Sequence, residues 1–152
     1  MKLVTMDIPE NGTTRETIGV VLSSDRILDL ASASLDIPSD MVLFIEKGKA
    51  GLEIARKLAS EAESGGHTAS THPLASVHLR APVPRPRKFV HAGRNFHKHL
   101  AESGSAMPAQ IPLAPRFTSP MIGPDEPIIY PPLTSKLDSE AEIVMIIGER
   151  CK

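Results

Sequence analysis

Fourteen of the 152 residues are proline, and most of them lie between Pro73 and Pro132. Proline lacks the backbone N–H, and its ring clashes inside a helix. The middle of the chain is therefore excluded from long helices and expected to run as loops and strand edges. Regular elements must come from what flanks it. On the amino-terminal side, "MKLVTM", "TIGVVLS" and "RILDLA" are short runs rich in β-branched and apolar residues. The last of them follows the turn signal "SSD", and the three predict a small antiparallel meander. "SDMVLFIEKG" predicts a helix that Ser39 or Asp40 caps and Gly48 ends. In "AGLEIARKLASEAES", Leu52, Ala55, Leu58, Ala59 and Ala62 fall at helical spacing. "GGHTASTHPLAS" is a loop by composition.

Beyond it the sequence predicts a strand, a proline-rich crossing at Pro82 to Pro86, and a strand at "KFVHAG". A helix from about Asn95 to Ser103 follows, with Asn95 as its cap. A proline-rich loop then leads to short strand pieces around "PIIYP" and a last strand, "AEIVMIIG". Two domains are expected, residues 1–81 and 82–152, and the class is α+β, antiparallel or mixed. The 41% hydrophobic content suits a globular chain, while aromatics are only 3% with no Trp, few for a complete core of this length.

Several function classes recede on composition. No apolar run approaches the roughly eighteen residues a membrane helix needs. The formal net charge is −1 and no basic stripe stands out, so neither nucleic acid nor an anionic membrane is an expected partner. The start of the chain carries no secretory pattern, and Cys151 is the only cysteine. Cytoplasmic residence is the expectation.

Two constellations carry chemistry. Along a strand side chains alternate, so Glu140 and Glu142 share a face at the mouth of the last apolar run. Like charges so close favour an intervening hard cation with oxygen ligands; a solvated strand entrance is the plainer alternative. His99 and Glu102 are neighbours on one helical face. A carboxylate holding one ring nitrogen leaves the other free as a general base; a surface pair of little consequence is the alternative. A zinc cluster of His91, His97 and His99 is disfavoured, because residues two apart on a helix diverge and no cysteine pair accompanies them. His67, His72 and His78 are expected exposed in the linker region.

Three blocks in order, "KFVHAGRNFHKHLAESG", "RFTSPMIGPDEPIIYP" and "LDSEAEIVMIIG", resemble the fumarylacetoacetate hydrolase family. The shared positions are G-x-N, H-x-x-E, G-P-x-x-P-I and E-x-E between Lys88 and Gly148. The stretch before Pro82 resembles, loosely, the small amino-terminal domain of many members. The resemblance implies a mixed β-roll preceded by that domain. It implies a cation, Mg2+ or Mn2+, with Glu140 and Glu142 as ligands, and His99 with Glu102 as the dyad that activates water. It implies substrate contacts from Arg116 and Asn95, a small 2-oxo acid or β-diketone substrate of the acylpyruvate kind, and a possible homodimer. The implied reaction is metal-dependent C–C hydrolysis, with decarboxylation, hydration or isomerisation as family alternatives.

Phe96 stands where members usually have Tyr, Ser139 where an aromatic is common, and Ile143 in place of Leu. In the family the third carboxylate ligand comes from a later segment of N-D-x-S-x-R-D type, which the resemblance would place after Lys152. The expectation is thus a truncated chain with an incomplete metal site. Such a chain is active only as part of a longer enzyme, is inactive, or serves as a module completed by a partner chain.

Overall fold

The computed structural model describes residues 1–119 and 121–149. Pro120 and the lone Cys151 lie outside them. The chain divides into two compact units, one of residues 1–83 with 122 onward, the other Pro84–Met121.

The first unit is built on a five-stranded antiparallel sheet in the order β4-β3-β2-β1-β5. Strands β1 (Lys2–Glu10), β2 (Thr13–Val21) and β3 (Arg26–Asp29) form the expected meander. The turn between the first two is tight because Asn11 and Gly12 both take positive φ, 50° and 81°. A two-residue hairpin loop demands that conformation at both positions, and Asn-Gly supplies it at low steric cost. Side-chain alternation then sorts the sheet into two faces. Ile18, Val20, Leu22 and Leu28 face the helices, and Met6, Ile8 and Ile27 face the other way.

Three helices cover the first face. Helix α1 (Leu30–Ala33) is a single turn capped by Asp29. Helix α2 (Met41–Glu46) begins where the Asp40 carboxylate accepts from the Val42 and Leu43 amides, and ends at the Lys47–Gly48 break. Helix α3 (Gly48–Glu63) buries Ala55, Leu58 and Ala62 from the stripe read in the sequence. Phe44 completes this core at 2% exposure.

The loop after α3 is more ordered than its composition suggests. Short strands β4 (Thr71–Pro73) and β5 (His78–Leu79) pair with β3 and β1 and form the two edges of the sheet. Edge positions tolerate Pro73, whose missing N–H faces outward. His67 is hydrogen-bonded to Glu61 at 2.9 Å and His78 to Glu126 at 3.0 Å, so two of the three linker histidines hold structure rather than face water alone.

The second unit is a two-stranded antiparallel ribbon, β6 (Val90–Ala92) with β7 (Leu113–Pro115), plus helix α4 (His97–Glu102). The ribbon continues into backbone bonds from Gly93 N–H to the Pro112 carbonyl and from Arg116 N–H to the Phe89 carbonyl, each 2.9 Å. The class is α+β, as the sequence implies.

Two local expectations differ. Among the described residues, "PIIYP" and "AEIVMIIG" form no strand. A strand exists only through its ladder, and no described neighbour pairs with either run. Ile143, Met145 and Ile147 are instead exposed, 85%, 83% and 68%. Asn95 is also not the cap of α4. That position belongs to Phe96, which has no side-chain acceptor.

Candidate functional site

In the second unit, α4 carries His99 and Glu102 on its solvent side, while Leu100 turns inward at 4% exposure. Among the described residues no hydrogen bond joins the His99 ring to the Glu102 carboxylate. Both stand at the C-terminal end of α4, where the His99 and Ala101 carbonyls accept from Ser103 N–H. Asn95 lies two residues before this helix and is exposed.

Arg116 follows β7, and its guanidinium donates to His91 Nδ1 at 2.8 Å across the ribbon. An arginine only donates, so His91 Nδ1 must accept, and the neutral ring carries its proton on Nε2. That geometry removes Nδ1 as a metal ligand and stands against the three-histidine zinc reading. An open groove of about 400 Å3 runs beside this pair, lined by Arg87, Lys88, Phe89, Arg116 and Phe117 among others. It is cationic and partly aromatic, which suits an anion with a flat apolar body.

Glu140 and Glu142 belong to the first unit and are exposed on the irregular segment before the apolar run. Two carboxylates two residues apart are the right donor type for a hard divalent cation. Among the described residues no group of three or more His, Cys, Asp or Glu gathers where it could hold a metal. Donor chemistry therefore fits, and a full ligand set is not assembled by these residues.

The most densely bonded polar groups are ones the sequence pattern did not mark. Asp29 has no exposed surface. Its carboxylate accepts from Thr17 Oγ1 at 2.9 Å, Arg15 at 2.9 Å and Ser32 Oγ at 2.6 Å, and from the Ala31 and Ser32 amides. Burial pushes its pKa up, but the bonds from Ser32, Arg15 and Thr17 together outweigh that and hold it below the usual carboxylate range. It ties β2 to α1 and belongs to the fold. The available signal was Asp29 directly before "LAS", the pattern of a helix cap. The second group is centred on Glu126, whose carboxylate accepts from Gly123 N–H, His78 and Arg80.

Comparison with known proteins adds the family. Residues 88–152 match the model described as fumarylacetoacetate (FAA) hydrolase C-terminal. A mitochondrial oxaloacetate tautomerase FAHD2A of Bos taurus is 33% identical over 127 residues, covering 83% of this chain and 38% of that protein. A mitochondrial oxaloacetate tautomerase fahd2 of Xenopus laevis is 29% identical over 153 residues, covering all of this chain and 46% of that protein. A crystal structure of a candidate HpcE protein from Mycobacterium smegmatis superposes with a TM-score of 0.60 at 25% identity, over 84% of this chain and 41% of its own. The motif blocks, the family match and the structural neighbour agree, and the chain belongs to the fumarylacetoacetate hydrolase family. It spans less than half the length of the curated relatives it matches.

Proposed function

We infer that this chain carries part of an enzyme that moves a proton beside the carbonyl of a small 2-oxo acid, with keto–enol tautomerisation as the first reading. The observation that carries it is the similarity to oxaloacetate tautomerases across 83% of the chain; the H-x-x-E and E-x-E patterns, which resemble the family's, lie within the matched residues 88–152. In this reading His99 takes and returns the proton, and Glu102, one turn further along the same short helix, orients it or stands in for it. Arg116, fixed by His91, and Asn95 hold the substrate's oxygens. Glu140 and Glu142 would supply two oxygen ligands to Mg2+ or Mn2+, an ion that would favour charge developing on a carbonyl oxygen.

Hydrolysis of a C–C bond in an acylpyruvate is the second reading. It is supported by the description of the matching family model as a hydrolase. Both readings use His99 as a base, but on different protons. In the first it takes one from the carbon beside the carbonyl and returns it. In the second it takes one from the water that attacks the carbonyl, the C–C bond then breaking to give an acid and an enolate. The domain division at residue 82, with a small amino-terminal domain before the family domain, and a homodimeric assembly are part of the same proposal. Among the described residues no helix is long and apolar enough to cross a membrane. Several relatives carry "mitochondrial" in their names, whereas the cytoplasmic expectation rests on a single cysteine.

The test follows the ultraviolet absorbance of enol oxaloacetate with the full chain and Mn2+, beside acylpyruvate cleavage under the same conditions. Faster enol decay that His99→Ala lowers about 100-fold is expected. Acylpyruvate cleavage without effect on enol decay selects the second reading. No effect of His99→Ala on either rate removes the proposed base.

A further inference from the structure

The turn Gly123-Pro124-Asp125-Glu126 begins the G-P-x-x-P-I motif, and it lies on strand β5 of the first unit. Contact is close at Gly123. A Cβ built there would stand 2.3 Å from the Leu79 carbonyl oxygen and 2.9 Å from Arg80 Cα. Only a residue without a side chain permits this approach. The Gly123 N–H does not bond that carbonyl; it donates to Glu126 Oε2 at 2.6 Å. The other oxygen of the same carboxylate accepts from His78 Nε2 at 3.0 Å and Arg80 Nη1 at 3.2 Å. Arg80 in turn reaches Asp7 of β1 at 3.6 Å, and its own N–H donates to the Thr5 carbonyl at 2.9 Å. One carboxylate thus closes its own turn and grips two side chains of the sheet edge.

We propose that Glu126 is a clasp that docks the Gly123–Ile128 motif turn onto the β5 edge of the amino-terminal sheet, which thereby sets where that motif stands. An isolated surface ion pair would not carry this, since such pairs contribute little. Here a backbone amide, a histidine and an arginine converge on one carboxylate over a glycine contact with no spare room. The clasp also covers part of an edge strand whose backbone would otherwise be open to pairing. His78 and Glu126 are 48 residues apart, and the two family-pattern positions x-x between the prolines are occupied by Asp125 and Glu126. The proposal concerns the motif's anchoring and stands independently of the enzymatic reading.

The experiment is residue-resolved amide hydrogen exchange on the full chain. Glu126→Ala is expected to speed exchange at residue 123 at least tenfold, with the β1–β2 ladder unchanged. Glu126→Gln keeps an acceptor for the Gly123 amide but loses the charge that His78 and Arg80 address, so its exchange is expected to fall between the two. Unchanged protection in Glu126→Ala overturns the clasp, as does a Glu126→Gln chain that matches Glu126→Ala. Should Glu126→Ala also loosen the ladder, Gly123→Ala decides. Its methyl cannot fit against Leu79, so the turn must lift with Glu126 intact. Protection of the amides of residues 123 and 126 that survives that substitution overturns the proposal.

Discussion

Asp29 shows what a single buried charge does here. Its three side-chain donors and two amides satisfy the carboxylate completely, so removing it strands Arg15, Thr17 and Ser32 together. Asp29→Ala is expected to cost roughly 3 kcal/mol of folding stability, read as a lower urea midpoint. The pH dependence follows from its depressed folded pKa. In the unfolded chain the group titrates near the ordinary value of about 3.9. Its contribution is present above that value and is lost as pH falls through the lower, folded one. Thermal unfolding across acid pH checks this: the wild-type midpoint should fall more steeply below about pH 4 than that of Asp29→Asn. Arg116 presents the opposite case. Sequence placed it near the substrate by resemblance alone, and its bond to His91 could not be read from a spacing of 25 residues.

At the scale of elements, the hydrophobic pattern was informative wherever an element packs against another. The meander, α2 with its Asp40 cap and the α3 stripe were all legible because period and capping agree there. Phe44→Ala should therefore destabilise by about 3–5 kcal/mol, measured by chemical denaturation, since it removes a ring buried in the core cluster that α2 and α3 form with the sheet. Strand β4 escaped notice because three residues leave no period to detect, while the strand expected before Pro82 is the two-residue β5; the order of both comes from pairing with β3 and β1. Asn95 failed as a cap for a different reason: helix α4 starts two residues later, after an extended Phe96. "AEIVMIIG" has every local feature of a strand, yet a ladder needs a neighbour, and local sequence does not report one.

For the molecule as a whole, that run is the main surface consequence. Five consecutive large apolar residues, Ile143 to Ile147, are exposed in the first unit, and such surfaces associate. The chain should show concentration-dependent self-association in sedimentation experiments. Replacing Ile143 and Met145 with Lys should reduce it several-fold while leaving the Phe44 core intact. The family relationship came from motif order across "KFVHAGRNF", "GPDEPII" and "LDSEAEI", which survives divergence better than any single spacing. The proposed cation site was legible only as a donor type: the sequence shows the pair Glu140 and Glu142, separated by Ala141, and among the described residues no group of three or more potential ligands gathers.

The claim that most needs testing is that this pair binds a divalent cation. Mn2+ titration of the full chain, followed by electron paramagnetic resonance of free Mn2+, measures it directly. Weak, saturable binding is expected, because two carboxylates alone offset little of the ion's dehydration. Glu140→Gln with Glu142→Gln should abolish that binding. Binding of the same strength in the double variant, or none in the unaltered chain, would contradict it.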